Sequence, residues 1–312
     1  MHGIVLVALV VLPGLGDSYL QTVMVSVLLL FVMGALFDFM LGYLNVVNFG
    51  MAGFLCVGAY AAGLSAQYFD ISPWLGLVLG GLGGLALGLL AGALTLHLRG
   101  VYVGLTTLFV MEFLRYTIAS GRDLTRGMSG LQVETFTPLM GMHFQRGQPE
   151  SYYYLLLFLA VAIYACLKLI VASRFGLIFR AIRDDELGAS ILGVRVVRFK
   201  LASFAVATAF MGVMGAFYAY YIGILVPSGQ DFGIPRTVEI LTVAYIGGRG
   251  TLWGAFLGAL VLIGVQEMFR GLEEWRLVIY GAFLVIVLLA FPRGLAGIVE
   301  GLGRRLGSSE IR

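Results

Sequence analysis

Apolar positions along this 312-residue chain run in long continuous blocks instead of alternating. The blocks Leu20 to Phe37, Trp74 to Leu98, Val101 to Ile118, Tyr152 to Val171, Phe199 to Tyr221, Trp253 to Met268 and Leu277 to Phe291 stand out. Each is apolar over roughly the 20 or so residues that a helix needs to cross a bilayer. Three stretches are less regular: Ile4 to Leu12 is short, Gly42 to Ser65 is broken by Asn45, Asn48 and several glycines, and Thr237 to Ile246 is short and carries Glu239. The pattern predicts an all-α polytopic integral membrane protein of about eight to ten transmembrane helices, some broken or re-entrant, built as one transmembrane domain over residues 1–312. Unbroken apolar runs argue against a closed β-barrel, whose strands alternate lipid-facing and lumen-facing residues.

Composition agrees and removes other classes. The chain is 60% hydrophobic and 12% charged, against about 25% charged in ordinary soluble domains. A net charge of +3 with scattered basic residues gives no footprint for nucleic acid. Cys56 and Cys166 lie inside apolar segments, as small hydrophobes do, so neither a disulfide nor a metal site is expected. His2, His97 and His143 are far apart, and no H-E-x-x-H or C-x-x-C occurs. The first basic residue is Arg99, so the N-terminal apolar run lacks the basic start of a cleaved leader and reads as a retained membrane segment.

Charge also orients the chain. Arg174, Arg180, Arg183, Arg195, Arg198 and Lys200 crowd one connection against three acids, whereas 119–151 balances three basic with three acidic residues. The positive-inside rule makes 173–200 cytoplasmic. Stepping one span at a time then puts His97 to Gly100, Gly247 to Leu252 and the tail with Arg293, Arg304 and Arg305 inside. Loops 119–151 and 222–236 fall outside.

The most informative connection is SRFGLIFRAIRDDELGASILGVRVVRFK at 173–200. It predicts one short helix: Asp184 as N-cap, Asp185 and Glu186 in the first turn where the dipole favours negative charge, and Gly193 as a left-handed C-cap. Ile182, Leu187, Ile191 and Leu192 give it an apolar face, which needs a protein surface or the bilayer to cover it.

RAIRDDELGASILGV resembles the cytoplasmic coupling segment of ABC importer permeases, with Glu186, Ala189 and Gly193 in the acidic, small and glycine places. Further stretches resemble the branched-chain amino acid permease family, the LivM-type subunit. They are LGYLNVVNFGMAGFLCVGAYAAGL at 41–64, LRGVYVGLTTLFVMEFLR at 98–115, TRGMSGL at 125–131, VEILTVAYIGGRGTLWGAFLGALVL at 238–262 and RLVIYGAFLVIVLLAFPRGLAGI at 276–298. The resemblance implies an inner-membrane importer subunit that works by alternating access. Its partners would be a second LivM- or LivH-type permease, two cytoplasmic ATP-binding subunits and a periplasmic solute-binding protein. Asp184 to Val194 would be the coupling helix, with Asp185, Glu186, Ala189 and Gly193 within it and Arg180 and Arg183 as ion-pair partners of the ATPase. The absence of G-x-x-x-x-G-K-[ST] agrees: this chain would bind no cofactor, and ATP with Mg²⁺ would sit on the partner ATPases. The implied solute is a branched-chain or other hydrophobic amino acid, with urea, short amides and aromatic acids as alternatives. In a different class, an ATP-independent channel or secondary transporter would need its own ion or selectivity site. An enzyme would need a reactive constellation at membrane depth, and none is legible.

Other features have two readings. Gly76, Gly80, Gly84, Gly88 and Gly92 form a stripe every four residues, which lets a second helix approach closely, either from the second permease or from this chain. Asn45 and Asn48 interrupt an apolar run, and together with Glu239 they are candidates to line the path, or they cap neighbouring backbone. Glu112 and Arg115 are spaced for an ion pair. Asp38 fits a turn or cap, and Tyr218, Tyr220 and Tyr221 fit an interfacial aromatic belt. GGRGTLWG at 247–254 lacks a phosphate-loop lysine and reads as a tight turn between helices.

Overall fold

The computed structural model describes residues 9, 17–95, 98, 100–139, 141–269, 281, 282, 285 and 294–297. Most of Ile4 to Leu12 and Leu277 to Phe291 lie outside the described residues, as do His97, Arg99, Arg293, Arg304 and Arg305. Among those described, the long elements are α1 (Ser18–Leu44), α2 (Met51–Phe69), α3 (Pro73–Thr95), α4 (Val101–Ser120), α6 (Pro149–Ala172), α9 (Val196–Ile222), α11 (Ile234–Gly247) and α12 (Gly254–Met268). Short helices α5 (Arg122–Thr125), α7 (Arg174–Asp184), α8 (Glu186–Ile191) and α10 (Gly229–Phe232) join them. Four helices, α1, α3, α6 and α9, are long and apolar enough to cross a membrane, and α12 is a shorter apolar helix. The described strands are β1 (Leu131–Gln132) paired antiparallel with β2 (Ile224–Leu225), beside an isolated bridge between Leu139 and Met142.

The glycine stripe settles which helix it serves. Gly76, Gly80, Gly84, Gly88 and Gly92 are all buried, and they face α9 of the same chain. A β-carbon at Gly80 would come within 2.7 Å of the Ala216 methyl, and one at Gly92 within 2.9 Å of Leu201. Gly58 of α2 faces Gly212 of α9 in the same way. Backbone thus meets backbone where α2, α3 and α9 converge, which replaces the hydrophobic drive that lipid does not supply between helices.

Around this trio, α1 lies against α6, α11 and α12. Phe31 sits edge-on to Phe256 at 5.6 Å, and the Tyr19 hydroxyl donates to Glu267 at the far end of α12. The α1 helix runs on to Leu44, past the expected span end at Phe37 and into the stretch expected to be irregular from Gly42: the chain breaks only at Asn45, a left-handed residue with φ 55°.

The helices run alternately between two ends of the molecule. At one end the 119–151 and 222–236 segments meet through the β1–β2 pair, and Trp74 Nε1 donates to Thr137 at 3.0 Å. Phe136 and Phe144 pack on Trp74 there and carry the cluster on to Tyr220 and Tyr152, with the Phe136 and Tyr220 rings 4.8 Å apart. This corrects the tyrosine belt: Tyr220 is fully buried and Tyr218 nearly so, because their face of α9 turns toward the bundle. At the opposite end lie α7, α8, the α11–α12 turn and the α1–α2 break. Outward faces of α3 and α4 expose Leu82, Leu90, Leu94, Phe109 and Phe113, as helices do where lipid or another apolar surface covers them.

Candidate coupling segment and helix break

The 173–200 connection folds as two helices. Ser173 caps α7, its hydroxyl oxygen accepting the Phe175 N–H at 3.2 Å, and α7 continues through Asp184. The N-cap of the second helix is therefore Asp185, not Asp184. Asp185 Oδ1 accepts the N–H groups of Leu187 and Gly188, both at 3.0 Å, leaving Glu186 alone as the acidic residue of the first turn. Gly193 ends α8 as anticipated, with φ 86°. Val194 N–H donates to the Ala189 carbonyl and Gly193 N–H to that of Ser190, both at 3.0 Å, the double bond pattern of a Schellman cap.

Ala189 faces inward with Ile182 and Val196 in a small apolar cluster of their own, so a larger side chain there would lift α8 off its seat. Ile182 belongs to this seat and not to the outer face. The outer face is Leu187, Ile191 and Leu192, which are 68%, 79% and 86% exposed. Glu186 accepts from Lys200 Nζ at 2.6 Å, tying α8 to the start of α9.

Arg180 and Arg183 point at α1. The Arg180 guanidinium lies 5.9 Å from the Tyr43 ring centre, and the Phe39 and Phe179 rings meet edge-on at 5.7 Å. Arg183 Nη1 donates to the Gly42 carbonyl at 3.0 Å. That carbonyl belongs to the last turn of α1, where helix carbonyls lack intrahelical partners and a cation is favoured.

On the other side of the same turn, Asp38 is 1% exposed and sits inside α1, which corrects the expected turn or cap. Its carboxylate accepts Gly250 N–H at 2.7 Å, Thr251 N–H at 3.1 Å and Leu252 N–H at 3.0 Å. The glycine-rich 247–254 turn is therefore an anion-binding nest, and its anion is a side chain of this protein. Gly42 faces Gly250 so closely that a β-carbon would stand 2.6 Å from the Gly250 Cα.

The break itself is held by hydroxyls. Phe49 N–H donates to Thr107 Oγ1 of α4 at 3.0 Å, and Thr237 Oγ1 of α11 donates to the Phe49 carbonyl at 3.2 Å. These two threonines are further functional candidates, whose one mark in the sequence is a hydroxyl in an otherwise apolar span. Asn48 is fully buried, and its Oδ1 accepts Gly50 N–H at 2.9 Å; it organises the entry to α2. Asn45 is exposed and borders a cleft of about 150 Å³ whose walls include Thr95, Arg183, Glu186, Lys200 and Phe204. Glu239 lies elsewhere, facing α12: it accepts from Arg236 at 2.9 Å and from Gln266 Nε2 at 3.1 Å. Arg236 also reaches Asp231 at 3.5 Å, and Asp231 accepts the Tyr218 hydroxyl at 2.6 Å. Glu112 and Arg115 do pair, at 2.6 Å, and Arg115 lies over Tyr116. No group of three or more His, Cys, Asp and Glu placed to hold a metal occurs among the described residues.

Comparison with known proteins adds to this geometry. A family model described as branched-chain amino acid transport system / permease component matches residues 19–288. The LivM permease protein of a high-affinity branched-chain amino acid transport system in Salmonella typhimurium is 27% identical over 285 residues, covering 85% of this chain and 67% of that protein. The LivH permease protein from the same organism is 32% identical over 128 residues, 40% of each chain. A probable LivM permease of Methanocaldococcus jannaschii is 21% identical over 81% of this chain and 86% of its own length. No solved structure matches.

Proposed function

The chain belongs to the branched-chain amino acid transport permease family, and from that premise we propose that it is the membrane-spanning subunit of an ATP-driven importer of branched-chain or related hydrophobic amino acids. The observation that carries this reading is the α8 tip. Three large apolar side chains, Leu187, Ile191 and Leu192, stand exposed on a six-residue helix. That helix is capped at both ends and flanked by basic residues. Exposed apolar groups on so polar a connection call for a protein partner, and an ATPase cleft is the partner this reading assigns. The end bearing α7, α8 and the α11–α12 turn is then cytoplasmic, and the end where 119–151 meets 222–236 receives a periplasmic binding protein. The second permease, a LivM- or LivH-type chain, completes the membrane part of the assembly.

In this reading the chain catalyses nothing. ATP and Mg²⁺ are bound and hydrolysed on two partner subunits, whose closure pulls α8. Each of these subunits would seat an α8, one from each permease. The break at 45–50, gripped by α4 and α11, is the place where the membrane helices part to change the accessible side, with Asn45 at its cytoplasmic mouth.

The test is purification from native membranes in mild detergent, with identification of the accompanying chains, for the wild type and for Ile191→Asp/Leu192→Asp. ATPase subunits accompanying the wild type and lost from the variant support the reading. A wild type that comes out alone and moves solute into liposomes without ATP overturns it in favour of a channel or ion-coupled carrier. With the assembly in hand, competition of leucine uptake by urea, short amides or aromatic acids assigns the solute.

A further inference from the structure

Three contacts fasten α7 to the last two turns of α1: Phe179 on Phe39, Arg180 over Tyr43, and Arg183 on the Gly42 carbonyl. The same two turns are fastened on their other side to the α11–α12 turn, through the Asp38 carboxylate and through the close approach of Gly42 to Gly250. Arg183 Nη1 itself lies 3.9 Å from where a β-carbon of Gly250 would stand. The end of α1 is thus a bar held between the coupling segment and the turn that joins α11 to α12. One residue beyond the bar, the chain leaves the helix at Asn45, and α11 grips the break through Thr237.

We propose that Arg183 is a positioning residue for transport: its bond to the Gly42 carbonyl makes α8, the end of α1 and the α11–α12 turn move as one body, so that a pull on α8 reaches the 45–50 break. The proposal rests on the importer reading above and deepens it. Two of the three α7–α1 contacts are ring contacts that tolerate sliding. The Arg183 bond is the directional one, since a guanidinium N–H must point at a particular carbonyl. Arg183 also pairs with Asp184 at 3.0 Å, which holds the guanidinium at the junction between α7 and α8. Gly42 supplies the other half: only a residue without a side chain lets Gly250 lie against the carbonyl-bearing turn.

The experiment uses the assembled complex in proteoliposomes and reads two quantities, the ATPase rate and the solute taken up per ATP hydrolysed. Arg183→Ala removes the donor to the Gly42 carbonyl, and Gly42→Ala, which keeps that carbonyl, pushes the same turn away from Gly250. Both are expected to retain the ATPase subunits while uptake per ATP falls about fivefold or more, the lower end of typical coupling between sites. Arg183→Lys, which keeps a charged donor, is expected to restore much of that ratio. A ratio unchanged in Arg183→Ala or in Gly42→Ala overturns the proposal, and so does an Arg183→Ala variant that sheds the ATPase subunits, because Arg183 then belongs to the docking surface. If wild-type chain carries no ATPase subunits, the importer reading itself falls, an outcome distinct from either.

Discussion

Asp38→Ala removes the acceptor for three backbone N–H groups at once. Leu252 is 3% exposed, so its amide would bear the full penalty of an unsatisfied buried donor, about 1–3 kcal/mol. The amides of Gly250 and Thr251 are half-buried and regain water in part. Losing the carboxylate also removes the cost of burying it, so the net loss should be about 3 kcal/mol. This strain is confined to the 247–254 turn, where Arg249 offers a trypsin site. Cleavage of a native protein follows the population of the locally open form when reclosing is fast, and 3 kcal/mol corresponds to about a 150-fold rise in that population. The assay is the rate of cutting after Arg249 in detergent-solubilised protein at limiting trypsin, with elution volume as the check on the rest of the fold. Asp38→Asn keeps one oxygen able to accept two of the three N–H groups and should fall about midway on the logarithmic scale. Cleavage of Asp38→Ala within about twofold of wild type would refute the reasoning, because the turn would then hold its shape without the carboxylate.

Three further outcomes follow from the geometry. Gly84→Val should lower the melting temperature in detergent through overpacking of about 1–3 kcal/mol or more, since a β-carbon there meets the Thr208 carbonyl and Gly212; Gly264→Ala, where a β-carbon meets nothing within 4 Å, should leave it level or slightly higher. Asp185→Ala should cost about 1 kcal/mol of helix stability and speed hydrogen exchange at the Leu187 and Gly188 amides, while Asp184→Ala leaves both amides protected. Arg236→Met strands Asp231 beside Glu239 and should destabilise by about 2 kcal/mol, between exposed and fully buried ion pairs, measured as a shift in the detergent melting curve; equal stability would mean that Gln266 and Tyr218 satisfy the carboxylates unaided.

What the chain's pattern revealed depended on how local each signal was. The Glu112–Arg115 pair is three residues apart and was readable from spacing. So was the interruption near Asn45, because polar residues and glycines gathered in an apolar run mark where a helix cannot continue in lipid unaided. Its edge lies a few residues later than the pattern suggests, since Gly42 looks like a breaker but is helical and serves a close approach instead. The cap of α8 shifted by one residue because Asp184 and Asp185 are equally good caps, and only the fold of α7 decides which is free. The stripe in α3 announced a close neighbour without naming it, as small residues specify a distance and not a partner. The Asp38 nest was beyond reach: its two halves lie more than 200 residues apart, and neither a lone acid nor a glycine-rich turn identifies the other. The tyrosines of α9 misled because a one-dimensional belt argument ignores which way the helix turns.

The convergence of Gly58, Gly80, Gly84 and Gly212 has a mechanical consequence. Where main chains touch, there are no side-chain rotamers to exchange and no gap to take up, so neither sliding nor rotation has an inexpensive first step. On the importer reading, the α2–α3–α9 trio is therefore the fixed frame. On that reading, whatever rocks during transport is mounted on it, and α4 through Thr107 and α11 through Thr237 are the parts that grip the broken segment.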